Sequence, residues 1–212
     1  MPLHRLDSLS AISAPEWDAL VPTSHPFLRH AFLSALEDSG SLNPQSGWQH
    51  QHPLHYAHGT LQAALPSYRK WHSYGEYVFD HEWANACERA GIEYYPKLLT
   101  AVPFSPVSGP RLLAASAEQG RELLAALPGY LELEGLSSAH INFTDALADS
   151  ALAQQAGWLQ RLGCQFHWQN RGYRDFQDFL DTLSSRKRKQ MRKEREQVAA
   201  QGFTFEWLEG HQ

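Results

Sequence analysis

The sequence predicts a mixed α/β fold, and three observations support that prediction. Apolar residues recur at helical spacing in some segments and alternate with polar residues in others. These segments follow one another in the order hairpin, helix, strand, helix, strand, helix and strand, after a helical N-terminal part. The composition, 42% hydrophobic and 19% charged over 212 residues, suits a chain that buries a core and excludes a disordered one.

Five predicted elements occupy the first half of the chain. Apolar positions at helical spacing predict two helical pieces over 15–39, separated by a loop between two prolines. Alternation over 53–67 about a His-Gly-Thr turn predicts a β-hairpin. Helical spacing returns over 80–90, where Asp80 is a candidate N-cap, and a short apolar run over 98–102 predicts a buried strand.

The second half continues the alternation of helices and strands. The predicted order is helix, strand, helix and strand over residues 116–128, 139–143, 146–162 and 164–168. An amphipathic stretch from Asp175 leads into a basic segment, so we predict one long helix that ends near Ala200. Alternating aromatic residues over 203–207 predict a last strand.

Charge is concentrated near the end of the chain. The chain carries a net charge of −5, yet residues 186–196 alone carry +5 and the remainder −10. The mild overall acidity argues against a protein that coats nucleic acid with its whole surface. The candidate anion-binding residues of the basic segment are Arg186, Arg188, Lys189, Arg192 and Lys193.

Two interpretations of the basic segment stay open. On a helix, Arg188, Arg192 and Arg195 would share one face. Such a face is either solvated or binds a phosphate-bearing ligand, an RNA or an anionic lipid headgroup.

Cysteine content and the N-terminus both favour a cytoplasmic location. Two cysteines are too few for a disulfide framework. The first residues lack the apolar core of a signal peptide, and no stretch reaches the ~20 apolar residues that a transmembrane segment needs.

The histidines are the only hint of a metal site. His50, His52, His55 and His58 lie close together in sequence, but no cysteine or carboxylate lies among them. A zinc site would need ligands from elsewhere, so we expect no metal. The common hydrolase and nucleotide-binding motifs are also missing from the sequence.

An aromatic and acidic segment at 74–84 supplies candidate general bases. Glu76 is the better candidate, because aromatic surroundings would raise the pKa of its carboxyl group. Asp80 is either a second base or the cap of the following helix. Tyr74 and His81 flank these acids as candidate substrate-binding residues.

A loop rich in proline and glycine at 94–113 is the second candidate site. Rigid loops at strand ends are common ligand sites in α/β folds. Lys97 and Arg111 could bind a phosphate or a carboxylate there, or the loop could be structural.

Two long segments together resemble a known family. FDHEWANACERAGIEYYPKLLTAVPFSPVSGPRLL and QFHWQNRGYRDFQDFLDTLSSRKRKQMRKER are similar to the FemAB-like family, named for peptidoglycan biosynthesis and recognition, in the GNAT (acyl-CoA N-acyltransferase) superfamily. The resemblance covers roughly residues 15–210. It implies a GNAT-like domain over 1–200, with a central mixed sheet flanked by helices and a long basic helix at its end. It also implies that 201–212 begin a second, truncated GNAT-like domain.

The resemblance also implies a function. An acyl or aminoacyl group would move to a small-molecule amine or a cell-wall precursor, with acyl-CoA or aminoacyl-tRNA as the donor and tRNA as a possible partner. Tyr95, Gly109 and Trp168 lie in the resembling segments and join the candidate substrate-binding residues. The nearest match to an acetyl-CoA loop, Gln154 to Leu159, departs from the pattern at its last position. We therefore expect residues 1–212 alone to be inactive. The alternative is a non-catalytic recognition module that binds a cell-wall precursor, an RNA or an anionic headgroup.

Overall fold

Two four-stranded β-sheets form the framework of the first part of the chain. The strands are β1 His4–Leu6, β2 Gln49–His50, β3 His52–Ala57, β4 Thr60–Ala64, β5 Ser67–Lys70, β6 Lys97–Thr100, β7 Leu113–Ala114 and β8 Ala139–Ile141. One sheet has the order β1-β3-β4-β7 and the other β2-β5-β6-β8. The second sheet is mixed, because β6 and β8 are parallel while its other pairs are antiparallel.

The two sheets meet where one long hairpin bends. β2 and β3 form one arm of this hairpin, and β4 and β5 form the other. At the bend, Gln51 N–H donates to the Ser67 carbonyl and Leu65 N–H donates to the Pro53 carbonyl. Pro53 and Pro66 have no N–H to donate, so the ladder is interrupted there. The central sheet expected from the sequence is therefore divided into two.

The computed structural model describes residues 2–22, 25–144, 154, 157–164 and 166–210. The chain forms two units, Met1–Arg161 and Leu162–Gln212. Helices of the first unit are α1 Ala14–Asp18, α2 His30–Asp38, α3 His81–Arg89 and α4 Ala117–Leu133. The mixed α/β class is confirmed. The predicted helix over 146–162 lies mostly outside the described residues.

The core of the first unit has two main clusters. One packs the N-terminal helices on the first sheet around the fully buried Trp17, whose indole N–H donates to the Leu28 carbonyl at 2.9 Å. The other packs α4 through Leu123, Leu124 and Leu127. Each fully buried leucine contributes about 1.5–3 kcal/mol. These clusters fix the positions of the strands that carry the candidate site.

The second unit contains two helices where the sequence predicted one. These are α5 Phe176–Asp181 and α6 Ser185–Ala200. The N–H groups of Thr182 and Leu183 bond three residues back and end α5, and Ser184 is extended with φ −58° and ψ 149°. The prediction of a continuous helix is therefore wrong over this short break.

Neither of the two last predicted strands is present in the described residues. Residues 203–207 and the described part of 164–168 have irregular backbone and exposed side chains. Alternation produces a strand only where another strand offers backbone partners, and none pairs with these segments within the described chain. That residues 201–212 begin a second domain stays a prediction. Among the described residues, no helix has both the length and the apolar character needed to cross a bilayer.

Candidate functional site

A cleft opens beside α3 in the first unit. Its volume is about 570 Å³, within the range of small-molecule sites. The lining side chains with polar or aromatic chemistry include Tyr74, His81, Glu88, Glu93, Tyr94 and Tyr95. The structure thus brings together three of the candidate substrate-binding residues from the sequence: Tyr74, His81 and Tyr95.

A buried lysine holds the polar groups beneath this cleft. Lys97 is the first residue of β6, and its side chain is fully buried. Its Nζ donates hydrogen bonds to Ser73 Oγ at 2.8 Å, to Glu76 Oε2 at 2.9 Å and to Asp80 Oδ2 at 2.6 Å. The three donors of the ammonium group are all used, and both candidate bases contact the same cation.

Two tyrosines and a serine connect this buried network to the cleft. The Tyr94 hydroxyl donates to Asp80 Oδ2 at 2.7 Å. The Tyr95 hydroxyl lies 2.8 Å from Ser73 Oγ, which itself accepts a hydrogen bond from Lys97. Because all three residues also line the cleft, a ligand there would contact hydroxyl groups whose other partners are buried charges.

Sheet register places a second lysine opposite the first. Lys70 on β5 is the direct cross-strand partner of Lys97 and is also fully buried. Its Nζ donates to the Tyr74 carbonyl at 3.1 Å, lies 3.8 Å from the centre of the Trp48 ring and 4.0 Å from Glu76 Oε1. Like charges opposite each other repel, so the two carboxylates are needed to balance the pair.

Burial and charge act in different ways on the two carboxyl groups. Burial raises the pKa of Glu76, and the nearby lysines only partly oppose it. Burial would also raise the pKa of Asp80, but hydrogen bonds from Lys97, Ser73 and Tyr94 outweigh it and hold that pKa at about 2. Glu76 is therefore the better proton acceptor of the two.

The pKa values of Lys70 and Tyr94, which lie beside these carboxyl groups, are shifted as well. Burial lowers the pKa of Lys70 to about 8, against the opposing effect of Glu76. Burial and the bond to Asp80 raise the pKa of Tyr94, so this hydroxyl stays protonated as a donor.

Asp80 occupies the N-cap position of α3 but does not cap it. Its carboxylate makes no hydrogen bond to the first turn of the helix. Instead, the strong bond to Lys97 turns it inward. Of the two interpretations that the sequence left open for Asp80, the capping interaction is the one that the structure does not show.

Gly109 and Arg111 are not among the residues that line the cleft. The buried guanidinium of Arg111 donates to the carbonyls of Pro110 at 2.9 Å and of Asn142 at 3.0 Å. At Gly109, a Cβ atom would lie 2.0 Å from His25 Nε2, so only glycine fits. These contacts favour a structural role for this loop.

The basic candidates divide between two faces of α6. Arg188 and Arg192 contact residues of α5. Arg186, Lys189 and Lys193 are exposed on a different face. The stripe predicted from the sequence is therefore partly used within the unit itself.

Trp168 and the near match to the acetyl-CoA loop are both exposed. Trp168 lies in the second unit, with its ring centre 6.1 Å from that of Tyr173. Of the loop, Gln154 and 157–159 are described, and Leu159 is 97% exposed.

Glu37 joins two of the clustered histidines. One ligand atom from each of Glu37, His50 and His52 lies within 4.8 Å of the others. However, His52 Nδ1 accepts a hydrogen bond from the Ser67 N–H at 2.9 Å, so the proton of the neutral ring is on Nε2, which faces Glu37. Because a metal would need that nitrogen unprotonated, this arrangement does not favour a metal site.

Sequence reasoning missed several residues of the site. Lys70, Ser73, Tyr94, Glu88 and Glu93 were not among its candidates. Lys70 ends the segment SYRK and Lys97 begins the run KLLT, and neither pattern by itself indicates a buried lysine.

Comparison with known proteins gives the family of this chain. The profile of the FemAB-like family, described as peptidoglycan biosynthesis/recognition, matches residues 8–212. A search of curated proteins finds no match. Among solved structures, the chain is similar to the apo crystal structure of aminoglycoside antibiotic 6′-N-acetyltransferase AAC(6′)-IG from Acinetobacter haemolyticus. The two share 13% sequence identity with a TM-score of 0.41, over 80% of this chain and 99% of that one.

Proposed function

This chain belongs to the FemAB-like family, and from that premise we propose that it carries the acceptor site of an acyl- or aminoacyl-transferase acting on an amine of a peptidoglycan precursor. The cleft beside α3 is the proposed acceptor site. The donor, acyl-CoA or aminoacyl-tRNA, would bind a second GNAT-like domain, because the only near match to an acetyl-CoA loop departs from the pattern at Leu159.

The chemistry of the cleft lining is the observation that supports this proposal. Glu88 and Glu93 place two carboxylates at the cleft, and neither lysine nor arginine is among its described lining residues. Tyr74, Tyr94 and Tyr95 add aromatic rings, whose faces attract ammonium groups. A primary amine, which is protonated at neutral pH, is a ligand that carboxylates and ring faces both attract.

Before it attacks an acyl group, the ammonium must lose a proton. We propose Glu76 as the final acceptor, because its raised pKa makes it a better base than Asp80. Glu76 Oε1 also has no hydrogen-bond partner among the described residues. Glu76 does not line the cleft, so the proton must pass through groups that do.

A relay of three groups joins the cleft to Glu76. The ammonium gives its proton to the Tyr95 oxygen, and the Tyr95 hydroxyl proton passes to Ser73 Oγ, 2.8 Å away. Lys97 Nζ first releases a proton to Glu76 Oε2 over 2.9 Å, and the neutral amine then turns its free lone pair to Ser73 Oγ and takes the Ser73 proton over 2.8 Å. Each relay group ends as it began, the amine is neutral and Glu76 holds the proton.

The test compares two peptides that differ only at the amine. A peptidoglycan stem peptide with a free amine is titrated into the protein, and the same peptide with that amine acetylated is the control. We expect the free amine to bind and the acetylated peptide to bind at least about tenfold more weakly, since it has lost its charge. Equal binding of the two peptides would overturn the proposal.

A transfer assay then separates the enzyme from a recognition module. The protein is incubated with the free-amine peptide and either labelled acetyl-CoA or labelled aminoacyl-tRNA, with and without a candidate second domain. Label transferred only when that domain is present supports the division of sites. Robust transfer by residues 1–212 alone would place the donor site in this chain. Binding without transfer under any condition would instead support the recognition module.

A further inference from the structure

The two faces of α6 differ in what their cations contact. Arg188 Nη1 is 2.8 Å from Asp181 Oδ1, and Arg192 Nη2 is 2.8 Å from Gln177 Oε1. The Arg195 guanidinium lies 4.2 Å from the centre of the Phe176 ring. These three arginines form the inner stripe of α6, and each contacts α5.

A second face of α6 carries cations with no such partners. Arg186, Lys189 and Lys193 follow one another at spacings of three and four residues, so they form one outer stripe about 10 Å long. All three side chains are exposed, and within the described chain no carboxylate pairs with them. This outer stripe is a local positive surface on a protein whose other residues are net negative.

A group of exposed apolar side chains follows directly after the helix. Gly202, with φ +74°, turns the chain out of α6. Four large apolar residues come next, between 62% and 93% exposed: Phe203, Phe205, Trp207 and Leu208. Exposed apolar groups of this size beside a basic surface are typical of a segment that something else covers.

We propose that α6 and the aromatic segment 203–208 bind the surface of an anionic lipid bilayer, and this proposal replaces the expectation that residues 201–212 begin a second domain. The outer stripe would contact the anionic headgroups, and the aromatic side chains would enter the interfacial layer beside them. Stable membrane attachment generally needs two signals, and the unit supplies one electrostatic and one apolar.

A lipid surface fits this arrangement better than RNA does. Proteins that bind single strands interleave cations with aromatic rings along one groove. Here the cations lie on the helix and the rings lie on the segment after it, so the two are not interleaved. A membrane requires both signals but no interleaving of them.

The experiment measures binding to vesicles by co-sedimentation. Vesicles of phosphatidylcholine alone are compared with vesicles that also contain phosphatidylglycerol, at low and high salt. We expect binding only to the anionic vesicles, and weaker binding at high salt.

Two triple variants remove the same charge from the two faces. Neutralising the outer stripe, R186Q/K189Q/K193Q, should weaken binding by about a hundredfold. The matched control, R188Q/R192Q/R195Q, should weaken it by at most about tenfold, because these arginines face α5. Circular dichroism confirms that each variant keeps its helices, and F203S/W207S provides a second test that leaves α6 unchanged. That variant should reduce binding at both salt concentrations.

Three outcomes would overturn the proposal. The first is equal binding to neutral and anionic vesicles, and the second is anionic binding that the outer-stripe variant leaves intact. The third is absence of vesicle binding, and salt-dependent binding of a labelled single-stranded RNA would then assign the stripe to nucleic acid.

Discussion

Replacing Lys97 with methionine tests whether one buried cation holds the candidate site together. Methionine keeps the length of the side chain and removes all three of its hydrogen bonds. Glu76 and Asp80, both 2% exposed, would be left without their shared partner. Breaking a buried ion pair from one side costs about 3–5 kcal/mol, so we expect K97M to lose that much unfolding free energy at pH 7.

The difference in unfolding free energy between the wild type and K97M should become smaller as the pH falls. Lys97 and the other donors lower the pKa of Asp80 from 3.8 to about 2, which corresponds to about 2 kcal/mol. A lowered carboxyl pKa gives stability that is present above pH 3.8 and is lost as the pH falls through 2. The wild type should therefore lose about 1 kcal/mol of this stability between pH 7 and pH 3, and K97M, which lacks it, should not.

Urea unfolding followed by tryptophan fluorescence measures both effects. The matched control is K70M, which removes the cross-strand lysine but leaves Asp80 bonded to Lys97. It should keep the acid dependence of the wild type. If K97M stays within about 1 kcal/mol of the wild type at pH 7, or if the difference between them does not narrow in acid, our account of the network is refuted.

Three further predictions concern other parts of the first unit. The pKa of Lys70 is about 8 instead of 10.5, so between these pH values the unfolded chain binds more protons than the folded chain. The unfolding free energy of the wild type should therefore rise by up to about 3 kcal/mol from pH 8 to pH 10.5. Urea unfolding of K70M should show no such rise. Replacing Glu88 or Glu93 with glutamine should weaken binding of the free-amine peptide about two- to fivefold in calorimetry and leave binding of the acetylated peptide unchanged. Gly109→Ala should lower the unfolding free energy, measured by thermal unfolding, by about 1–3 kcal/mol, because the added Cβ atom meets His25. Adding His25→Ala should restore most of that free energy. No recovery in the double variant would contradict the contact.

The sequence predicted correctly those helices and strands that are decided by residues close together in the chain. The hairpin was predicted from alternation on either side of a short turn, and the structure has positive φ at His58 and Gly59, as a tight turn between strands requires. The helix over 80–90 was predicted from spacing alone and is α3. In both cases the residues that decide the element are within a few positions of each other.

The errors arose where distant residues decide the structure. The break between α5 and α6 is bridged by the pair of Arg188 with Asp181, and helical spacing continues unchanged across it. The alternation at 203–207 is a good strand pattern, but no strand in the described chain pairs with it. A pattern records which side chains are apolar, and whether they are buried depends on what lies beside them.

The candidate site was predicted in its parts and not in its arrangement. Glu76, Asp80 and Lys97 were each candidates, but in two separate segments. Their convergence depends on the pairing of β5 with β6, which places Lys97 opposite Lys70. That register is set by the long hairpin and by packing of α4, and neither can be derived from the spacing of the charged residues.

The free energy needed to bury these charged groups indicates that the network does more than stabilise the fold. Two fully buried lysines and two buried carboxylates could be replaced by apolar side chains with no loss of stability, and often with a gain. Stability alone therefore does not account for them. What the charges provide is a fixed orientation for Ser73, Tyr94 and Tyr95, because these residues contact the network on one side and the cleft on the other. Under the proposed function, this floor of hydroxyl groups, held in place by buried charges, would carry the proton away from the bound amine.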